Sequence, residues 1–216
     1  MLKNFFESLE LAEQGDASAM LEVADCYYLG NGVERNLETA LEWYLRAAKN
    51  GNDRARTQVG LMYYNGIGTA VNYDAAAKWL NIPPMFLLRD APAVYTLAEM
   101  YFCGRGVKQN YSQAFDLYRF AAINGCNFNA WFRMGEMYEY GYGVAVDNQS
   151  AINCYTKAAT NGNVVAMSKL GLIYETGELV EQDYDKAKYW YSSAAWQGST
   201  FAAAKLKELP PIASEK

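Results

Sequence analysis

The 216-residue sequence contains no histidine. Without imidazole, the chain lacks histidine-activated serine or cysteine nucleophiles, histidine acid–base catalysis and the commonest zinc ligand. It also has no CxxC pair or other metal-ligand spacing. Glycine pairs such as Gly30 and Gly32 are not followed by the lysine and serine or threonine of a nucleotide-binding loop. These absences predict no catalytic, cofactor or metal site, and we expect that the chain is not an enzyme.

Positive charge is also scarce. The sequence has 19 lysine and arginine residues against 24 acidic residues, a net charge of −5, and no basic cluster. Because phosphate contacts dominate affinity for nucleic acids, this composition argues against a nucleic-acid partner and against an anionic membrane surface. No apolar run is long enough to span a bilayer, and residues 1–10 lack the apolar core of a signal peptide. We expect a cytoplasmic location; a chain whose signal peptide had been removed would look the same, so that alternative stays open.

The four cysteines share no spacing. Cys26, Cys103, Cys126 and Cys154 fall at different places relative to the repeat described next. We therefore expect four free thiols in a reducing compartment rather than a disulfide framework.

What the sequence does contain is a long-period repeat. Five tyrosines mark it at steps of 36, 38, 37 and 36 residues: Tyr27, Tyr63, Tyr101, Tyr138 and Tyr174. Each tyrosine follows a small, a large apolar and a second small residue, as Ala19, Val23 and Ala24 precede Tyr27. This spacing puts all four residues on one face of a helix, where the small positions let a second helix approach closely.

Each predicted first helix ends at a glycine, and a second helix follows. The glycines lie three residues after each tyrosine, where a left-handed C-terminal residue is most favourable: Gly30, Gly66, Gly104, Gly141 and Gly177. Five N-cap residues then start the second helices: Asn36, Asn72, Asn110, Asp147 and Asp183. Four of these second helices close with paired alanines and a glycine, as in Ala47, Ala48 and Gly51.

Helix pairs that repeat in this way predict an all-α solenoid, because a single pair cannot bury its apolar face alone. We expect one domain over residues 1–216. Its five repeats are predicted at about 16–51, 52–89, 90–125, 126–162 and 163–198. Residues 2–14 match a lone second helix and residues 200–209 a lone first helix, so both segments are predicted to cap the array.

These columns resemble the Sel1-like repeat, a relative of the tetratricopeptide repeat, over roughly residues 15–200. The resemblance implies a protein-interaction module that acts as an adaptor or scaffold. A second possibility is an immunity protein that neutralises a bacterial toxin, because bacterial Sel1-like proteins include such inhibitors. A hydrolase is a remote third possibility. Glu136 and Glu139 form a carboxylate pair at i, i+3, but a solvated helix face explains that pair as well.

The second repeat departs from the pattern. Pro83 and Pro84 occupy its Ala-Ala columns, which predicts that the helix starting near Tyr73 ends by about Asn81. An apolar run follows at residues 85–88. The run either fills the space that the shortened helix leaves, or it marks a kink or an exposed contact patch in the solenoid.

The resemblance also implies where a partner binds. In the tetratricopeptide family the first helices line a concave groove, and its columns carry over to aromatic and acidic residues in this chain. The predicted partner-binding residues are Tyr28, Tyr64, Tyr95, Glu99, Phe102, Phe132, Glu136, Glu139, Tyr140 and Glu175. Aromatic side chains anchor interfaces, and the acids favour a protein or peptide partner with basic residues. Alternatively, Tyr28, Tyr64 and Phe102 only pack between neighbouring repeats.

Overall fold

The computed structural model describes residues 2–80, 90–124 and 127–210, with side chains from residue 5 onward, and contains twelve α-helices and no strand in those ranges. Their bounds are α1 Leu2–Glu13, α2 Ala17–Leu29, α3 Leu37–Lys49, α4 Asp53–Asn65, α5 Tyr73–Leu80, α6 Ala91–Cys103, α7 Tyr111–Asn124, α8 Phe128–Tyr140, α9 Asn148–Thr160, α10 Val164–Thr176, α11 Tyr184–Trp196 and α12 Thr200–Glu208. The predicted helix pairs and both predicted capping helices are confirmed.

The glycine loop inside each pair closes in the same way along the chain. Gly66 ends α4 with φ of 69°, and its N–H donates to the Met62 carbonyl. Asn72 then donates its N–H to the Tyr63 carbonyl over 2.9 Å and caps α5 by accepting from the Ala75 N–H. The other four repeats make the same backbone bond to the carbonyl of their tyrosine, so every second helix starts at the same distance from that residue.

Glycine in the middle of a first helix sets how closely the two helices of a pair approach. A Cβ atom on Gly60 would lie 2.5 Å from Leu80 Cγ. On Gly135 and Gly171 it would lie 2.5 Å from a ring carbon of Tyr155 and Tyr191, respectively. Side chains of the second helices therefore fill the space that the predicted small column leaves.

The helices form two compact units, residues 1–110 (unit 1) and residues 111–216 (unit 2). Val23, Tyr44, Val59 and Met62 are among the fully buried residues of unit 1. The corresponding residues of unit 2 include Tyr155, Leu170, Ile173 and Tyr191. That the whole chain is one domain stays a prediction.

Some sequence predictions fall on residues that the structure does not describe. Pro83 and Pro84, the apolar run at 85–88 and Cys126 lie outside the described residues, as does the end predicted for α5 near Asn81. The other three cysteines, Cys26, Cys103 and Cys154, are free thiols. Within the described ranges, no helix has the length and apolar character needed to cross a membrane.

Candidate partner-binding surface

The predicted partner-binding residues lie on first helices in both units. Nine of them are half-buried: Tyr28, Tyr64, Tyr95, Glu99, Phe102, Phe132, Glu136, Glu139 and Glu175. Tyr140 is exposed. We call the surface formed by α2 and α4 in unit 1 the α2–α4 face, and the surface formed by α8, α10 and α12 in unit 2 the α8–α12 face.

The α2–α4 face contains a pocket of about 220 Å³. Its lining combines apolar and polar side chains: Leu21, Asp25, Tyr28, Leu29, Tyr44, Arg54 and Gln58. Five of these belong to the groove columns that the resemblance carries over, although only Tyr28 is among the predicted binding residues: Leu21, Asp25, Tyr28, Leu29 and Arg54. The structure thus brings one predicted residue together with four others from the groove columns, and with Tyr44 and Gln58 from outside them.

The floor of this pocket holds a carboxylate anchored by a buried tyrosine. Tyr44, which is 2% exposed, donates its hydroxyl to Asp25 Oδ1 over 2.5 Å. Burial and this hydrogen bond raise the pKa of Tyr44, so its hydroxyl stays a donor. Arg54 Nη2 lies 3.7 Å from Asp25 Oδ2, and the Arg54 side chain is 75% exposed. Such an exposed ion pair with a long N–O distance contributes little to the stability of the fold.

The α8–α12 face contains two similar tyrosine–carboxylate pairs, each completed by a lysine. Tyr155 donates to Glu139 Oε2 over 2.6 Å, and Lys169 Nζ donates to Glu139 Oε1 over 2.8 Å. The same arrangement recurs 36 residues later in Tyr191, Glu175 and Lys205, with distances of 2.6 and 3.1 Å. We call these two sets the tyrosine–glutamate–lysine triads.

Electrostatics in the first triad follow from its burial and hydrogen bonds. Burial raises the pKa of Glu139, but hydrogen bonds from Lys169 and Tyr155 outweigh that effect and hold the pKa below its ordinary value. For Lys169, burial lowers the pKa, and the hydrogen bond to Glu139 more than offsets it. Both side chains are therefore charged at neutral pH, as an internal ion pair.

The negative charge of the predicted acidic residues on this face is offset by internal cations. Glu139 and Glu175 each have a lysine, and Arg133 lies 2.9 Å from Glu136 Oε2. Arg133, Lys169 and Lys205 share one column, the position directly before the large apolar residue. That column lies outside the groove columns that the resemblance supplies, so these three cations were not predicted. Their regular spacing of 36 residues is the signal in the sequence that could have identified them.

The predicted aromatic residues already make contacts inside the fold. Tyr28 packs edge-on against Tyr44, with ring centroids 6.3 Å apart. Tyr64 packs against Tyr73 at 5.3 Å and accepts a hydrogen bond of 3.5 Å from Arg105. Both rings are only half-buried, so they combine internal packing with exposed surface.

A second surface, which the sequence did not predict, lies on the second helices of unit 2. An open cleft of about 860 Å³ runs along α11 and the end of α9. Trp196, which is 88% exposed, Tyr189 and Trp190 supply its aromatic lining.

Paired helices that repeat along the chain and are joined by glycine loops define an α-solenoid protein of the helical-repeat class. A family model described as the Sel1 repeat matches residues 17–52, 53–82, 91–126, 130–163 and 164–199. The chain therefore belongs to the Sel1 repeat family. No curated protein matches the sequence.

Solved structures support the same fold. One is c5321, a protective antigen present in uropathogenic Escherichia coli strains that displays an SLR fold; it is 32% identical with a TM-score of 0.83. The match covers 94% of this chain but only 43% of the Escherichia coli chain. A Sel1 repeat protein from Oxalobacter formigenes is 29% identical with a TM-score of 0.78, over 94% of this chain and 86% of that one.

Proposed function

We propose that this chain is a non-catalytic protein-interaction module that holds a partner protein or peptide on the α2–α4 face. Sel1 repeat proteins generally mediate protein–protein interactions, and the chain carries five such repeats. The observation that carries the proposal is the pocket between α2 and α4, because it combines apolar walls with a few polar groups. Pockets of that kind are where hot-spot side chains of a partner dock.

The α2–α4 face is favoured over the α8–α12 face because of charge pairing. On the α8–α12 face, the carboxylates of Glu136, Glu139 and Glu175 each have an internal cation. A partner would have to break those pairs, and because their side chains are mostly shielded from solvent, that costs more than replacing an exposed pair. On the α2–α4 face the ion pair is long and exposed, so a partner can replace it at little cost.

The finer alternatives stay predictions. Neutralisation of a bacterial toxin is one form that such a module takes, and a hydrolase is the remote third possibility. Among the described residues, no cluster of three or more cysteine or acidic side chains is placed to hold a metal ion.

The proposal is tested by substituting Leu29, an apolar pocket residue that is 61% exposed. Leu29→Lys puts a positive charge into the apolar wall, and we expect it to lower affinity for the natural partner at least tenfold, about 1.4 kcal/mol. Affinity purification from the native lysate with mass spectrometry identifies the partner, and a titration of the purified partner gives the affinity.

Leu11→Lys on α1 is the matched control, since Leu11 is also an exposed leucine but lies outside the pocket. A partner that binds the wild-type chain and the Leu11→Lys variant, and is lost from Leu29→Lys, supports the proposal. If both folded variants bind every partner equally, the α2–α4 face is the wrong surface.

A further inference from the structure

We infer that the pocket between α2 and α4 takes a lysine side chain of the partner, with its ammonium group on Asp25 and its aliphatic stem against Tyr28 and Leu21. This inference rests on the proposed function and specifies the partner chemistry at that face.

The molecule contains two examples of the arrangement that the partner would complete. In both tyrosine–glutamate–lysine triads, a buried tyrosine donates to one oxygen of a carboxylate and a lysine ammonium donates to the other. Each lysine comes from the next first helix along the chain and lies 30 residues after its glutamate. Charge-assisted hydrogen bonds of this kind are stronger than those between neutral groups.

The α2–α4 face has the first two members of the triad. Tyr44 corresponds in the repeat to Tyr155 and Tyr191, and it donates to Asp25 as they donate to their glutamates. Asp25 stands one helical turn before the position of Glu139, yet its carboxylate reaches the equivalent tyrosine hydroxyl.

The third member is missing. The column that holds Lys169 and Lys205 holds Gln58 in this repeat, and Gln58 lines the same pocket as Asp25. Among the described residues, no hydrogen bond reaches Asp25 Oδ2, where Arg54 approaches to 3.7 Å. The Asp25 side chain is 34% exposed, so part of it is accessible from solvent.

Shape and charge favour lysine over other side chains. The pocket walls formed by Leu21, Tyr28 and Leu29 suit a four-carbon stem, while the carboxylate at the floor suits a compact cation. Arg54, being mostly exposed, can move aside into water at little cost when an ammonium group takes its place.

The probe is n-butylammonium, the side chain of lysine without its backbone, titrated into the whole chain at constant ionic strength and followed by ¹⁵N–¹H NMR. We expect saturable shifts of α2 and α4 amides around Asp25, with a dissociation constant on the order of 10 mM for so small a ligand. The uncharged probe n-butanol has the same shape apart from its head group and should give much weaker shifts.

Two variants test the Asp25 carboxylate and the Gln58 position separately. Asp25→Asn keeps an acceptor for Tyr44 but removes the charge, and we expect about tenfold weaker binding. Gln58→Lys supplies an internal ammonium, as Lys169 does, and should abolish probe binding while it raises the melting temperature or leaves it unchanged. Glu42→Gln, an equal change of charge at an exposed position of α3, should bind the probe like the wild type.

The inference is overturned if n-butylammonium gives no saturable shift, if n-butanol gives the same shifts, or if Asp25→Asn binds the probe as tightly as the wild type. Failure here is separable from failure of the proposed function. A partner that is lost from Leu29→Lys while the probe does not bind the chain supports the interaction face and excludes only lysine as the docked side chain. If the probe binds but Leu29→Lys does not change the affinity of the partner, the interaction face is wrong and the pocket still binds an ammonium group.

Discussion

Lys169 forms an ion pair with Glu139 and so makes that carboxylate part of the packed structure. Its ammonium group is 2.8 Å from Glu139, whose side chain is only 8% exposed and also accepts from Tyr155. Removal of the lysine leaves a nearly buried carboxylate without a cation, and such a group is costly. A glutamate at these positions of the sequence can therefore indicate an ion pair within the fold as well as a contact with a partner.

Lys169→Met keeps the aliphatic stem and removes the charge, so we expect the free energy of unfolding at neutral pH to fall by about 1–3 kcal/mol. The pH dependence follows from Glu139, whose pKa is lowered in the folded chain from an ordinary value of 4.5. Its stabilisation is present above that ordinary value and is lost as pH falls through the lower folded value. The variant should therefore lose less stability than the wild type between neutral pH and about pH 3. Urea unfolding at both pH values measures this.

Lys207→Met is the control for charge alone, because Lys207 is an exposed lysine on α12. It should change the free energy of unfolding by less than about 0.5 kcal/mol. Equal losses in the two variants would mean that the triad does not stabilise unit 2.

At the scale of elements, the sequence predicted second-helix starts better than first-helix starts. The N-caps of second helices, such as Asn36 and Asp183, are confirmed by their side-chain bonds to backbone N–H groups. The first helices also have N-caps, which sequence analysis did not name: Asp16, Asn52, Asp90, Asn127, Asn163 and Ser199. They recur at the same steps as the tyrosines, and four of them directly follow a turn glycine, so the sequence contained a signal for these N-caps.

The distance between the two helices of a pair is the second feature at this scale, and the substitution Gly171→Ala tests it. Alanine is the better helix former by about 1 kcal/mol, so Gly171→Ala at an open position would stabilise the chain. Here the added Cβ meets the buried ring of Tyr191 at 2.5 Å. We expect a net loss of about 1–3 kcal/mol in the free energy of unfolding, measured by urea titration, because neither helix can withdraw without exposing core.

Whether the free energy of unfolding falls or rises decides this prediction. A stabilised Gly171→Ala variant would show that α10 and α11 separate freely and that glycine is not required at that position. Asn153→Ala, a change at an exposed position of α9, serves as the control for helix propensity in the same unit.

At the scale of the whole molecule, the chain is a series of helix pairs grouped in two units. In repeat proteins each repeat contacts only its neighbours, so stability is local. We therefore expect Gly171→Ala to raise amide hydrogen exchange in α10, α11 and α12 while α2, α3 and α4 keep wild-type rates. Hydrogen exchange with mass spectrometry measures this. A uniform rise over residues 1–110 and 111–216 would instead indicate one cooperative folding unit.

The sequence by itself determined the repeat, the two helices in each copy, the glycine loops, and the N-cap residues of the second helices. These features follow from local rules of helix periodicity, capping and left-handed glycine, which act within one repeat of the chain. The family resemblance followed from the same columns. The absence of histidine, which composition alone reveals, likewise limits the chemistry that the side chains can perform.

Only the tertiary structure decided which charges remain available to a partner. Glu139 and Asp25 both look like groove acids in the sequence, but a lysine 30 residues after Glu139 neutralises it, while Gln58 leaves Asp25 Oδ2 without a hydrogen bond among the described residues. Hydrogen bonds between side chains of neighbouring helix pairs depend on distances of a few tenths of an ångström. Column positions along a sequence do not contain those distances, because they are set by how closely the helices pack.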